Sequence, residues 1–377
     1  MLSMKKLLIV VNNPAFFLSH RLNVAKEAKA QGFRVIVSTM DGPAVQTIKD
    51  HGFEHVVFPM LRSGMNPLKE LKTLVALCKI YRQVKPDIVH LVTIKPVLYG
   101  GIAARLMRVP AVVYAISGMG FLFTKARSRF DPVNMITRLL YRNSLAHTNS
   151  RVIVQNQTDQ ALVQEMCSLK DEQLVLIRGS GADLNQYQFL PEPPTPPVVI
   201  TMAARLLRDK GVQEFVDAAR LAKKNGRHDL LWQLAGSPDP GNPASITDED
   251  LAAWRDDIRY LGELTDIAKL YSESHIVALP SYREGLPKSL VEAAACGRAV
   301  VTTDVTGCRD AIEPGVTGLL VDVCCAESLY DGVIKLADDD ELRRGMGLAG
   351  HQLAQEEFDE KLIAKKQVAL YAELLAS

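Results

Sequence analysis

Short apolar runs recur along the chain and alternate with longer segments of helical periodicity. In the first half Leu7–Val11, Arg34–Ser38, His55–Phe58, Ile88–Leu91, Ala111–Ala115, Arg151–Val154 and Leu174–Ile177 read as strands. Helical periodicity marks Ser19–Gln31, Pro67–Gln83, Val97–Leu106, Pro132–Leu145 and Thr158–Cys167. Apolar strands alternating with helices predict a parallel, doubly wound α/β sheet covered on both faces. The alternation stops at Leu190-Pro191-Glu192-Pro193-Pro194-Thr195-Pro196-Pro197, where five prolines in eight residues exclude a helix or a central strand. This reads as a stiff connector, with one domain over 1–190 and a second over 191–377. Beyond it strands restart at Val198–Met202, Leu230–Ala235, Ile258–Leu261, His275–Leu279, Ala299–Thr302 and Leu319–Val321. The expected architecture is two Rossmann-like doubly wound domains facing across a cleft.

In such sheets ligands bind beyond the carboxyl ends of the strands, so the loops following strands hold the candidate chemistry. The fullest is Pro280-Ser281-Tyr282-Arg283-Glu284-Gly285-Leu286-Pro287-Lys288, which runs into a helix carrying Glu292. Pro287 suits a helix start, and the free N–H groups near Lys288 form an anion site. Glu284 and Glu292 flank that site; carboxylates so placed accept hydrogen bonds from hydroxyls, as a sugar nucleotide would offer. The loop after Met202 carries Arg205 and Lys210, a planar fork and a point charge for phosphate oxygens. Leu234-Ala235-Gly236 and Tyr260-Leu261-Gly262 end strands on glycine, where a backbone edge can meet a base. After Val11 no glycine fingerprint for a dinucleotide appears; His20 and Arg21 open the next helix, placing His20 either near a sugar hydroxyl or simply at the surface. Ile116-Ser117-Gly118-Met119-Gly120 reads as a close approach to ligand or as a plain tight turn.

The net charge of +1 conceals an asymmetry: residues 1–190 hold 24 Lys+Arg against 12 Asp+Glu, residues 191–377 hold 20 against 31. The first half therefore suits an anionic partner, or the two halves attract one another. Its basic cluster, Lys125, Arg127, Arg129, Arg138 and Arg142, is mixed with Met135, Ile136 and Leu139, a combination suited to an anionic lipid surface or simply to a solvated helix. Six cysteines show neither metal spacing nor disulfide rhythm, as expected of reduced thiols. The apolar start Leu7–Val11 is too short for a signal peptide core, and no run approaches the ~18 apolar residues of a membrane span. Acidic runs at Asp248–Asp250, Asp256–Asp257 and Asp338–Asp340 read as solvated helix starts, and no metal site is expected.

Glu284 and Glu292 in E-x7-E spacing, Arg205 and Lys210 in one loop, and a proline connector between two Rossmann-like halves together resemble the family-4 glycosyltransferases of the GT-B fold. Gly179-Ser180-Gly181-Ala182-Asp183 and Gly297-Arg298-Ala299-Val300-Val301 add to the resemblance, which spans the whole chain. It implies catalytic roles for Arg205 and Lys210 at the donor diphosphate and for Glu284 at the transferred sugar. It also implies that Glu292 holds the ribose diol, that Gly285, Leu286, Pro287 and Lys288 lie against sugar and phosphate, and that Leu261 and Gly262 lie near the base. Ser117 stands where many members carry His, ahead of Gly118; that form, with Phe16–Arg21, is most similar to a bacterial subgroup that extends saccharides on undecaprenyl diphosphate. The last helix, about 358–375, is expected to return to the first domain.

The resemblance implies retaining transfer of a sugar, with an α-linked N-acetylhexosamine such as N-acetylgalactosamine favoured, from a UDP-sugar to a polyprenyl-diphosphate-linked saccharide in O-antigen, capsule or glycan assembly. It implies no metal, no cofactor and no nucleic acid, and a cytoplasmic protein held peripherally at the inner face of the membrane. Two further enzymatic readings stay open: a UDP-sugar 2-epimerase of the same fold, and a galactosyl or glucosyl transferase with another acceptor. A dehydrogenase lacks its glycine loop, and a non-catalytic membrane scaffold leaves the paired carboxylates without a use.

Overall fold

In the computed structural model residues 4–60, 67–119 and 132–376 are described, and they form two compact units. The first comprises residues 1–180 and 361–377, the second 181–360. Strands of the first unit are β1 (Lys6–Val11), β2 (Arg34–Thr39), β3 (Glu54–Val57), β4 (Ile88–Val92), β5 (Ala111–Ala115), β6 (Ser150–Val154) and β7 (Leu174–Leu176). They pair in parallel in the order β3-β2-β1-β4-β5-β6-β7. Alternate residues of β1 enter different cores: Leu8 and Val10 join Leu77, Tyr81 and Tyr141, while Leu7, Ile9 and Val11 join Val24, Ala28 and Tyr371. Two buried faces are the reason that the central strands β1, β4 and β5 are almost wholly apolar rather than alternating.

The second unit contains β8 (Val198–Ala203), β9 (Leu230–Ala235), β10 (Arg259–Gly262), β11 (Ile276–Leu279), β12 (Ala299–Thr303) and β13 (Gly318–Val321). Its parallel order is β10-β9-β8-β11-β12-β13. In each sheet the strand order reverses once, between β1 and β4 in the first and between β8 and β11 in the second. In each unit, the loops leaving its two strands at the reversal are therefore the ones that frame that unit's own crevice.

Helices depart from expectation at the start. Two helices, Pro14–His20 and Leu22–Ala30, replace the one predicted over Ser19–Gln31. Asn13 caps the first, its side chain accepting from Ala15 N and Phe16 N at 2.8 and 3.3 Å, and Pro14 supplies the fixed φ of a first turn. His20 thus closes a helix instead of opening one, and stacks on Phe16 with ring centroids 4.0 Å apart. A short helix, Val45–Asp50, had no counterpart in the expectations, and Pro96–Gly100 forms a π-turn before helix Gly101–Leu106.

The proline-rich stretch is not a free connector. Arg298 donates to Leu190 O at 2.6 Å, His275 Nε2 lies 3.0 Å from Pro193 O, and the fully buried Arg343 pairs with Glu192 at 3.0 Å. Three side chains of the second unit strap it down, so the division between units falls at 180/181, ahead of the prolines. Residues of the last helix, Glu360–Ala376, cover a face of the first sheet, where Tyr371 hydrogen-bonds the buried His90 at 2.5 Å. Desolvation holds His90 well below the usual histidine range, and Arg21 nearby adds to the effect. All six cysteines are free, and among the described residues no helix is long and apolar enough to cross a membrane.

Candidate functional site

At the β8/β11 reversal three loops of the second unit are tied together. The loop after β8 reaches the loop after β11 through Tyr282 N to Asp209 O at 2.9 Å and Ser281 Oγ to Asp209 O at 3.1 Å. Gly211 is required here: with φ +76° it lies so close that a Cβ would sit 2.0 Å from Pro280 O. The loop after β12 closes on the same segment, Glu284 N donating to Thr306 O at 3.0 Å. Gly307, at φ +84°, leaves room for Glu284 O, which a Cβ would approach to 2.3 Å.

This packing brings Lys210 and Glu284 into an ion pair, with side chains only 16% and 14% exposed. A mostly desolvated pair interacts strongly, so each partner fixes the position of the other. Arg205 is more open, at 58%, and is held by Asp239 at 3.1 Å. Asp239 follows β9 in the turn Pro238-Asp239-Pro240-Gly241 and was not among the expected site residues. Helix Lys288–Ala295 begins beyond Pro287, which serves as its N-cap, and Leu290 N and Val291 N donate back to Pro287 O. Glu292 is buried in this helix, with Lys288 Nζ 3.3 Å away. Burial raises its carboxyl above the ordinary glutamate range, while Lys288 and a hydrogen bond from Tyr187 pull the other way. Tyr187, which lies before the prolines, was not among the expected site residues.

Near the opposite edge, Gly262 O accepts from Gly236 N at 2.8 Å and Tyr260 Oη donates to Gly236 O at 3.0 Å. Leu261 and Gly262 remain partly exposed. Leu286 packs against the core of the second unit, and Gly285 stands beside Gly307. Thus Lys210, Glu284, Gly285, Leu286, Pro287, Lys288 and Glu292 lie along one continuous segment and the loop bonded to it. A pair of cations, a helix N-terminus and two carboxylates in this arrangement can hold a diphosphate and neighbouring hydroxyls.

Ser117 and Gly118 belong to the first unit, in the loop after β5. That loop is fixed by the buried Asp159, which accepts from Met119 N at 3.3 Å and from Asn156 Nδ2 at 3.0 Å. Of the basic cluster, Arg138 and Arg142 are on helix Pro132–Leu145; Lys125, Arg127 and Arg129 lie outside the described residues. The helix exposes Met135, Ile136 and Leu139 at 64, 53 and 60%.

Comparison with known proteins agrees with this layout. Residues 6–156 match the family model "Glycosyl transferase 4-like", and residues 184–352 match "Glycosyl transferases group 1". A Campylobacter jejuni N,N'-diacetylbacillosaminyl-diphospho-undecaprenol alpha-1,3-N-acetylgalactosaminyltransferase is 28% identical over 94% of this chain and 97% of its own. An Escherichia coli UDP-Gal:alpha-D-GlcNAc-diphosphoundecaprenol alpha-1,3-galactosyltransferase is 24% identical over 74% of each chain. Among solved structures, a glycosyltransferase from Rickettsia africae superposes with a TM-score of 0.77 at 20% identity, covering 99% of both chains. With two parallel Rossmann-like units, an E-x7-E segment bonded to a cationic loop, and a glycosyltransferase model matching each half, the chain is a glycosyltransferase of the GT-B fold.

Proposed function

We propose that the protein transfers an N-acetylhexosamine, with retention, from a UDP-sugar to a saccharide carried on polyprenyl diphosphate. The observation that carries this is the joining of Lys210, Glu284 and the Glu292 helix at one strand-order reversal. Arg205 and Lys210 take the charge that grows on the departing diphosphate, Glu292 holds the ribose diol, and Glu284 faces the transferred sugar. The C1–O bond to the diphosphate breaks as the acceptor hydroxyl bonds C1 on the same face; its proton passes to the departing phosphate oxygen. The two cations perform the task without a metal ion, so chelator leaves turnover unchanged. The two curated relatives support the lipid-linked acceptor, and the name of one includes a UDP-sugar donor. That one is a galactosyltransferase, which keeps a hexosyl donor as the second reading.

The acceptor is lipid-borne, so the protein works at the inner face of the membrane, docked peripherally. Helix Pro132–Leu145 supports this, presenting Met135, Ile136 and Leu139 outward in company with Arg138 and Arg142. A panel of UDP-sugars offered with one short-chain prenyl-diphosphate N-acetylhexosamine tests the proposal. An α-linked disaccharide product from UDP-N-acetylgalactosamine is expected. Free epimerised UDP-sugar without transfer, or a β-linked product, overturns it.

A further inference from the structure

At the β1/β4 reversal the first unit holds a half-open cavity of about 360 Å3, lined wholly by residues of that unit. Its apolar wall is formed by Phe16, Met60, Ile94, Val97, Ile116 and Tyr141. Into this wall are set Asn12, Thr93 and Ser117, from the loops after β1, β4 and β5. Asn12 Oδ1, Thr93 Oγ1 and Ser117 Oγ are all buried and have no hydrogen-bond partner among the described residues. Buried polar atoms are rarely left so, and three on residues that line one cavity point to a ligand that completes them.

Two features show that the cavity is constructed around these groups. Thr93 adopts φ +71°, a conformation costly for a β-branched residue and retained mainly at functional sites. Lys95, which also lines the cavity, has its charge met by Glu70 at 2.6 Å, and the chain then enters the rare π-turn Pro96–Gly100.

The mixed lining restricts the occupant. An isoprenoid would bury the three polar atoms dry, and a sugar carrying only hydroxyls would leave six apolar side chains against polar groups. An acylamino group satisfies both, offering N–H, C=O and a methyl within a few ångströms. The helix that supplies Tyr141 to the wall is the one exposing Met135, Ile136 and Leu139 on its other side. A ligand held here is therefore one helix thickness from the face proposed to meet lipid. We infer that this cavity reads the acylamino group of the acceptor sugar, and that Asn12, Thr93 and Ser117 are specificity-determining residues. The inference rests on the lipid-linked acceptor reading given above.

The test uses two short-chain prenyl-diphosphate sugars that differ only in bearing 2-acetamido or 2-hydroxyl. Each is titrated calorimetrically against the full-length protein without donor, and each is then assayed for turnover with UDP-N-acetylgalactosamine. The wild type is expected to favour the acetamido acceptor by about 10–200-fold in both Kd and kcat/KM. Thr93→Val and Ser117→Ala are expected to lower that ratio at least fivefold, with the affinity for UDP-N-acetylgalactosamine unchanged. Thr93→Ser, which restores the hydroxyl, recovers most of the ratio. If Thr93→Val does not fold, Ser117→Ala carries the same comparison. Equal use of both acceptors by the wild type, or an unaltered ratio in the variants, overturns the inference while leaving the transferase reading intact. Binding of the UDP-sugar with neither acceptor bound or glycosylated overturns the lipid-linked acceptor reading, and this inference with it.

Discussion

Lys210 and Glu284 show how one residue pair unites two functions. The ion pair joins the loops after β8 and β11, and it also presets a cation where the diphosphate is proposed to leave. Removing one preorganised donor of this kind costs about 3–4 kcal/mol of transition-state stabilisation. Lys210→Ala should therefore lower kcat by about 10²–10³ with a native circular dichroism spectrum. Near-normal turnover would exclude Lys210 from the chemistry. Glu292 is different, since burial raises its carboxyl pKa in the folded state. The folded protein then binds a proton more readily than the unfolded chain, and stability falls as pH rises between the two values. Glu292→Gln should thus melt above the wild type at neutral pH. The gap should close as pH falls to the ordinary glutamate range, and donor affinity should be weaker throughout. A melting gap independent of pH would show that the carboxyl is not paying for burial.

Elements were legible to the degree that burial dictated them. The central strands lie between two covered faces, so runs such as Ala111–Ala115 and Leu230–Ala235 stand out in the sequence to the residue. The start of the chain was harder, because Asn13-Pro14 caps a helix only seven residues long, too short for periodicity to register. The grouping of Glu284, Gly285, Pro287 and Glu292 could be read because a proline, a glycine and two glutamates fall at telling spacings around a single helix start. The cavity of the first unit could not. Thr93 sits in Leu91-Val92-Thr93-Ile94, a β-branched context with no sign of a positive φ. Glu70 and Lys95 meet across 25 residues, and no spacing rule links them. Helix Pro132–Leu145 offers a test at this scale. Replacing Met135, Ile136 and Leu139 together by Gln removes exposed apolar area only, so the melting temperature should hold. Co-sedimentation with vesicles containing phosphatidylglycerol should fall at least tenfold, and retention of binding would place the docking surface elsewhere.

For the whole molecule, the order of the chain and the order of its units differ. The first unit is completed by residues 361–377, which supply Ile363, Val368, Leu370, Tyr371 and Leu374 to one face of its sheet. Burying each is worth about 1.5–3 kcal/mol, so together they rival the roughly 5–15 kcal/mol by which a domain is stable. A chain ending at Glu360 should lose the cooperative unfolding transition of its first unit and bind a hydrophobic dye, while the transition of the second unit persists. Two intact transitions would show that the helix only decorates the sheet.

The return of that helix also sets a timetable for synthesis. A ribosome adding about 5–20 residues per second needs on the order of 10–40 s to pass from the end of the first unit's main segment to its closing helix. During that interval the second unit can fold, whereas the earlier one waits with the apolar face of β1 and β4 uncovered. The part of the enzyme made first is the part finished last, and in the cell it is the one that most needs a chaperone.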